Sequence, residues 1–255
     1  MIRLISSELR RLRSRTLFRG MLIAVLALMV FVCMIVFLRA KDVSYPTALD
    51  DGLLASSQLL FTLSVVVGAS FVGAEWSSGS MSTLLTWEPR RARVLVAKFV
   101  ACVVTTVLVT LALLVILALL LLPSAAAHGT TAGVDWWRAA GIWLRVGAVV
   151  GIGGALGVGL ATVMRTAAGP VATWLIFQFV ASPILILWKR WLIRWLPDGI
   201  IRQFLGLETV SRGRLSGGTP FVLGANYLRG GLLLSAYAVA FAAAGYASFR
   251  ARDVT

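Results

Sequence analysis

The chain of 255 residues is 59% hydrophobic and only 13% charged, with a formal net charge of +14. Soluble domains carry about 25% charged residues, so this composition excludes a soluble globular protein and indicates a chain built for the lipid bilayer. The positive charge does not indicate nucleic-acid binding, because the basic residues flank apolar runs, where membrane topology and lipid headgroups account for them.

The first predicted element is an amphipathic helix over about residues 2–18. Its apolar residues recur at helical spacing, and they are Ile2, Ile5, Leu9 and Leu12. Arginines, among them Arg13 and Arg15, fill the opposite face. Such a helix is expected to lie along the membrane surface. It would serve either as a topology anchor or as a partner-binding element, and the sequence favours neither.

Six apolar runs are long enough to cross a bilayer, which requires about 20 residues of helix. They cover about residues 21–38, 53–74, 94–122, 141–164, 170–188 and 231–249. The predicted fold is therefore an all-α polytopic membrane protein with six transmembrane helices in one domain over residues 1–255. The basic flanks place both termini in the cytoplasm. An odd number of spans, with residues 188–229 inside, is the alternative.

Residues 188–229 are predicted to be extracellular and irregular. Their first part is aromatic and basic, and Pro197 interrupts it. This pattern predicts two short helices that lie at the interface or re-enter it, with Trp188, Trp191 and Trp195 as interface anchors.

The fourth span carries small residues at four-residue spacing, which let helix backbones approach closely. They are Gly147, Gly151, Ala155 and Gly159, and Gly153 and Gly157 form a parallel stripe. The pattern predicts tight helix packing, but it does not distinguish a partner helix in this chain from one in another subunit.

Between the second and third spans, residues 71–99 form a short amphipathic and basic segment. A helix is predicted over about residues 78–87. Ser77 or Ser78 can cap its start, and Pro89 ends it. Its apolar face consists of Met81, Leu84 and Leu85. A small helix on the cytoplasmic side of two spans is suited to contact a soluble partner.

The predicted spans carry no carboxylate near their middle, which an ion-driven carrier usually needs. The dipeptide Gly-Lys of a phosphate-binding loop is also absent from the sequence. The chain is therefore expected to have no catalytic site, no metal site and no cofactor of its own, and to take energy from another polypeptide.

Residues 75–98 resemble the ABC-2-type permease family, the membrane subunits of type-2 ABC exporters. The matching positions are Glu75, Gly79, Leu84, Leu85, Pro89, Arg90 or Arg93, and Lys98. The basic amphipathic N-terminus, the six-span plan and the irregular region before the last span agree with the family, so the resemblance covers essentially the whole chain.

The resemblance implies a permease subunit of an ATP-driven exporter in the bacterial cytoplasmic membrane. Residues 78–87 would be the coupling helix that docks into an ABC ATPase subunit, and residues 2–18 the connecting helix beside it. ATP and magnesium would be bound by that ATPase. A second permease subunit, identical or different, would complete the pathway for a hydrophobic or amphipathic drug-, lipid- or peptide-like substrate.

Two other classes of function fit the same sequence. One is a non-transporting accessory or immunity module that binds a cytoplasmic regulator through the helix between the second and third spans. The other is an ion-coupled drug carrier.

Overall fold

A computed structural model describes residues 2–39, 43–81, 91–130, 135–206, 209–211, 221–223 and 226–251 of the chain. The described α-helices are α1 Ile2–Ser14, α2 Thr16–Arg39, α3 Tyr45–Ser77, α4 Arg91–His128, α5 Trp136–Met164, α6 Ala168–Ile176, α7 Ser182–Trp188, α8 Pro197–Leu205 and α9 Tyr227–Ala251. A π-helix, Phe177–Ala181, joins α6 to α7, and a 3-10 helix, Arg190–Arg194, precedes α8. The predicted helical class is confirmed.

Two short strand pairs accompany the helices. β1 (Val43–Ser44) pairs in parallel with β2 (Gly129–Thr130). β3 (Thr209–Ser211) pairs antiparallel with β4 (Phe221–Leu223).

The described chain has six helical segments long and apolar enough to cross a membrane, as predicted. Numbered here as spans one to six, they are Thr16–Ile35, Ala48–Ser77, Ala92–Pro123, Trp136–Met164, Ala168–Trp188 and Tyr227–Ser248. Span five contains α6, the π-helix and α7. The chain is therefore a multi-pass integral membrane protein.

The boundary of the N-terminal helix differs from the predicted end near residue 18. Helix α1 ends at Ser14, and Thr16 already belongs to α2. The break falls at Arg15, because there the chain turns from the amphipathic helix into the apolar first span. Spans two, three and four are longer than their apolar runs, since each helix continues into its polar flanks.

The spans alternate in direction, which gives the bundle two distinct ends. At the end called apical here, β1 beside the start of α3 pairs with β2 after α4. Arg138 at the start of α5 binds Asp50 there, with 3.1 Å between Nη2 and Oδ2. The opposite, basal end holds α1, the end of α3 and the start of α4. The end of α9 also lies basally, because Gly245 approaches Thr162 near the end of α5.

Span four forms the centre of the bundle. In its apolar window 72% of residues are buried, against 22% in span one and 17% in spans five and six. Spans one, five and six therefore turn most of their apolar surface outwards, to lipid or to another membrane subunit.

The glycines of span four make its central position possible. A Cβ on Gly157 would collide with the carbonyl oxygen of Val65, and a Cβ on Gly68 of span two would collide with that of Gly154. Backbones in such contact tolerate no side chain between them. The closest helix contact therefore joins spans two and four.

The small-residue stripe of span four packs against neighbouring spans of this chain. Gly147 and Gly151 face Val107 of span three, and a Cβ on Gly159 would lie 2.8 Å from the carbonyl oxygen of Phe241 in span six. Ala155 is only partly buried. The stripe is thus divided between two neighbours, because a four-residue step rotates slowly around a helix of 3.6 residues per turn.

After span five, the described chain has the 3-10 helix Arg190–Arg194 and helix α8, which begins at Pro197. Trp188, Trp191 and Trp195 expose 75%, 53% and 47% of their surface, and their role as interface anchors stays a prediction. Helix α8 is different: Ile200 and Ile201 are fully buried. It packs against span six and also touches spans two and four.

We expect Gly157→Ala to destabilise the protein, because the new methyl group meets the backbone of span two. Overpacking of this kind costs about 1–3 kcal/mol. Gly141→Ala, on the same helix with open space around it, is the matched control and should be neutral or slightly stabilising. Thermal unfolding midpoints in detergent measure the difference. Equal midpoints for the two variants would contradict the close contact between spans two and four.

Candidate functional site

A cluster of charged side chains is buried at the basal end, where α1 crosses the end of span two and the start of span three. Its central residue is Lys98, which is fully buried. The Lys98 Nζ lies 3.1 Å from Oε2 of Glu8 and 2.6 Å from Oε2 of Glu75. Both glutamates are at least nine-tenths buried. One ammonium group therefore joins α1, α3 and α4.

Arg15 supplies the second positive charge of the cluster. Its Nη2 lies 3.6 Å from Oε1 of Glu75, and its Nη1 donates to the backbone carbonyl of Ser70 at 3.2 Å. Arg15 sits at the break between α1 and α2. The break is thereby fixed to the last turns of span two.

An aromatic ring lies beneath both cations. Phe71 is buried, with Lys98 Nζ 5.1 Å and the Arg15 guanidinium 5.3 Å from its ring centroid. These distances suit cation–π attraction, which strengthens when the cation is desolvated. The ring also belongs to an apolar layer of buried residues, which includes Leu12, Val72, Met81, Cys102 and Val158.

The charges within this cluster compensate one another. Two carboxylates face Lys98 and Arg15, and Arg11 approaches Glu8 at 3.8 Å from a largely exposed position. A buried ion pair adds little net stability, because desolvation offsets the attraction, but removing one partner leaves an uncompensated charge. The cluster therefore fixes how three helices meet more than it adds to stability.

A second contact joins the turn between spans four and five to the same end of span two. Arg165 closes α5 with a left-handed backbone, φ 54°, and its guanidinium lies 4.7 Å from the ring centroid of Trp76. A Cβ on Gly73 would meet the backbone of Ala167 at 2.5 Å. Span two is thus held at its basal end by α1, by span three and by this turn.

The connector after span two begins with a helix-ending glycine. Gly79 has φ +70°, and its N–H donates to the carbonyl of Trp76 at 3.3 Å. This left-handed conformation suits glycine and commonly ends helices. It places the departure of the connector one turn from Glu75.

The predicted coupling residues are divided between the buried cluster and the connector. Glu75 and Lys98 meet in the cluster, while Arg93 is exposed on the first turn of α4. Met81 exposes only 1% of its surface, so its side chain packs into this chain and does not face a partner. The remaining predicted coupling residues lie outside the described part of the chain, and they are Leu84, Leu85, Pro89 and Arg90.

Only some of the residues predicted to form the apolar face of the N-terminal helix are described as buried against the rest of the chain. Leu12 is buried and Leu9 is half-buried. Ile5 and Arg13 lie in helical backbone, and their side chains are outside the described part. The buried face of α1 includes Glu8, which lies one turn before Leu12.

Glu8 and Phe71 are the members of the cluster that the sequence did not assign to a site. A signal for Glu8 does exist, because it is the one acidic residue among the first 40, which contain seven arginines. A lone carboxylate in such a segment indicates a specific positive partner. Nothing in the local sequence identifies that partner as Lys98, 90 residues further on.

Comparison with known proteins gives no further assignment: no family model matches the chain, and no curated protein sequence matches it.

We expect Lys98→Met to lower the free energy of unfolding by about 3–5 kcal/mol, since two buried carboxylates lose their cation. Arg93→Met, on the same helix but exposed, is the control and should cost less than about 1 kcal/mol. Denaturant or thermal unfolding in detergent measures both.

Neutralising Glu8 and Glu75 tests whether the stability lost in Lys98→Met comes from their uncompensated charge. The triple variant Lys98→Met, Glu8→Gln, Glu75→Gln should recover stability relative to Lys98→Met alone, because it removes the buried charges together. A triple variant no more stable than the single one would show that lost packing, and not uncompensated charge, causes the effect.

Proposed function

We propose that this chain is the transmembrane subunit of an ATP-driven exporter of the ABC-2 type, energised by a separate ATPase subunit. The observation that carries the proposal is the buried Glu8–Lys98–Glu75 cluster. Glu75 and Lys98 lie on either side of the connector that the family resemblance identifies as the coupling element. Their direct ion pair supports a role for this region in transmitting force.

The geometry suits transmission of force because the ion pairs of the cluster restrict the motion of the helix ends from which the connector starts and to which it returns. A push on residues 78–90 reaches span two through Glu75 and span three through Lys98. Helix α1 follows the same motion, since Glu8 binds the same ammonium group. Span two would pass the motion to span four through the backbone contacts of Gly68 and Gly157. Packed helices of this kind shift as units.

The proposed substrate is hydrophobic or amphipathic. The six described spans carry acidic residues only near the ends of span two, at Asp50, Asp51 and Glu75. A pathway lined by such helices offers few sites for an ion. The outward-facing apolar surfaces of spans one, five and six suit lipids and a second permease subunit.

The same placement of acidic residues argues against the ion-coupled carrier. Such a carrier binds and releases its coupling ion near the middle of the membrane. Here Glu75 lies at the basal end and is paired with Lys98 and Arg15. The accessory-module alternative keeps the same connector and lacks only the transport cycle, so ATP-dependent transport separates it from the exporter.

We expect the protein purified from its native membranes to carry an ABC ATPase subunit and vanadate-sensitive ATP hydrolysis. The double variant Leu84→Asp, Leu85→Asp should lose both, because two carboxylates cannot enter an apolar groove. Trp137→Asp, at the apical end and 90% exposed, is the control and should retain both. Normal ATPase binding and transport in the double variant would refute the coupling role.

The orientation follows from the same proposal, with the basal end in the cytoplasm. Both native cysteines, Cys33 and Cys102, are buried, so an introduced thiol is the accessible target. We expect Ser216→Cys to react with an impermeant thiol reagent on intact cells, and Ser80→Cys, exposed at the basal end, to react only after lysis. The reverse labelling pattern would invert the topology.

A further inference from the structure

An apolar cavity of about 300 Å³ lies between spans two, four, five and six, with Pro197 of α8 at its edge. Its aromatic wall is formed by Phe61, Trp174 and Phe177. The Trp174 ring centroid lies 5.6 Å from that of Phe61 and 5.8 Å from that of Phe177. The opposite wall includes Leu234 and Phe241 of span six. This volume is at the lower end of the range for small-molecule sites.

Span five has a narrow buried stripe, and one residue of the stripe, Trp174, lines the cavity. Its four buried residues are spaced four apart: Pro170, Trp174, Gln178 and Ser182. Such a stripe would rotate by about 40° per step on a regular α-helix. The π-helix counteracts that rotation, because its wider turn returns Ser182 to the face of Gln178. Interruptions of this kind are frequent at functional sites.

Three of these four residues carry polar atoms without a hydrogen-bond partner among the described residues. The atoms are Trp174 Nε1, Gln178 Oε1 and Ser182 Oγ, and Gln203 Nε2 on α8 is a fourth of the same kind. Trp174 is more than nine-tenths buried and lines the cavity itself. Buried polar atoms in proteins are almost always paired. Of the four atoms, Trp174 Nε1 belongs to the cavity lining, so a ligand in the cavity can supply its missing partner.

The available groups define the chemistry of that ligand. The indole N–H of Trp174 is a donor only, so the ligand must supply a hydrogen-bond acceptor. Gln178 Nε2 already donates to Asp198 Oδ1 at 2.7 Å, which directs its oxygen away from that carboxyl. Burial raises the pKa of Asp198, while the Gln178 hydrogen bond and nearby Arg202 lower it. Among the described residues that line the cavity there is no charged side chain, so a charged head group would be desolvated without compensation.

We propose that this cavity binds a small amphipathic molecule with an apolar body and one neutral hydrogen-bonding group, such as a fatty alcohol. The apolar body occupies the space between Phe61 and Leu234, and the oxygen of the hydroxyl group accepts a hydrogen bond from Trp174 Nε1. The site lies within one chain and needs no ATPase. Its test is therefore independent of the exporter proposal.

The test uses the full chain in phosphatidylcholine nanodiscs and a medium-chain fatty alcohol that carries a photoreactive diazirine in its tail. Mass spectrometry of the cross-linked peptides should locate the label on cavity residues of spans four and six. The unlabelled alcohol should compete about fivefold better than the alkane of equal chain length, since one hydrogen bond of ordinary strength gives about that ratio. The carboxylate of equal length should also compete poorly.

Matched variants distinguish the cavity from the lipid-facing surface. Leu234→Trp fills the cavity and should abolish the specific label, whereas Leu232→Trp, on the same helix but 71% exposed, should leave it unchanged. Thermal unfolding establishes that each variant is folded. Trp174→Phe keeps an aromatic ring but removes the N–H, and should weaken competition by the alcohol about fivefold while leaving the alkane unaffected.

Two results would overturn the proposal. One is labelling spread over the exposed faces of the spans and unchanged in Leu234→Trp. The other is equal competition by alcohol and alkane in the unmodified protein, which would show that no polar group in the cavity is recognised.

Discussion

The ammonium group of Lys98, held between Glu8 and Glu75, is the constraint on which the basal half of the molecule depends. A lysine that is fully removed from water requires negative partners, and here they come from two different helices. If either carboxylate moves away, the other contacts must rearrange as well. The positions of α1, span two and span three are therefore coupled by electrostatics at one point.

Away from the Lys98 cluster, the contacts between the spans depend on close packing and not on charge. Apolar side chains gain little by leaving lipid for one another, so close backbone packing and polar contacts hold membrane helices together. Span four meets this requirement through its glycines, which bring it against spans two, three and six. Span two takes part in both the ion cluster and the tightest glycine contact. It is consequently the structural link between the basal connector and the centre of the bundle.

Span five differs from the central helices in how its surface is buried. Most of its surface is apolar and outward-facing, yet its narrow buried stripe contains three polar side chains with unsatisfied atoms. The ion cluster and this stripe lie in different parts of the fold and differ in chemistry. The first is charged and internally compensated, which fixes the relative positions of the helices that it joins. The second is neutral and uncompensated, which suits recognition of a ligand.

The sequence alone determined what depends on local pattern. The length of the apolar runs predicted the six spans. The position of Pro197 predicted two short helices, and the glycine spacing of span four predicted close packing. Tertiary structure decided the rest, because burial of a charge depends on partners distant in sequence. From the sequence Glu8 looks like a surface residue, but in the fold it is buried beside Lys98. Met81 looks like a partner-facing residue, but it is buried in the apolar layer that also includes Leu12 and Phe71. Only the folded chain assigns the glycines to neighbours within it.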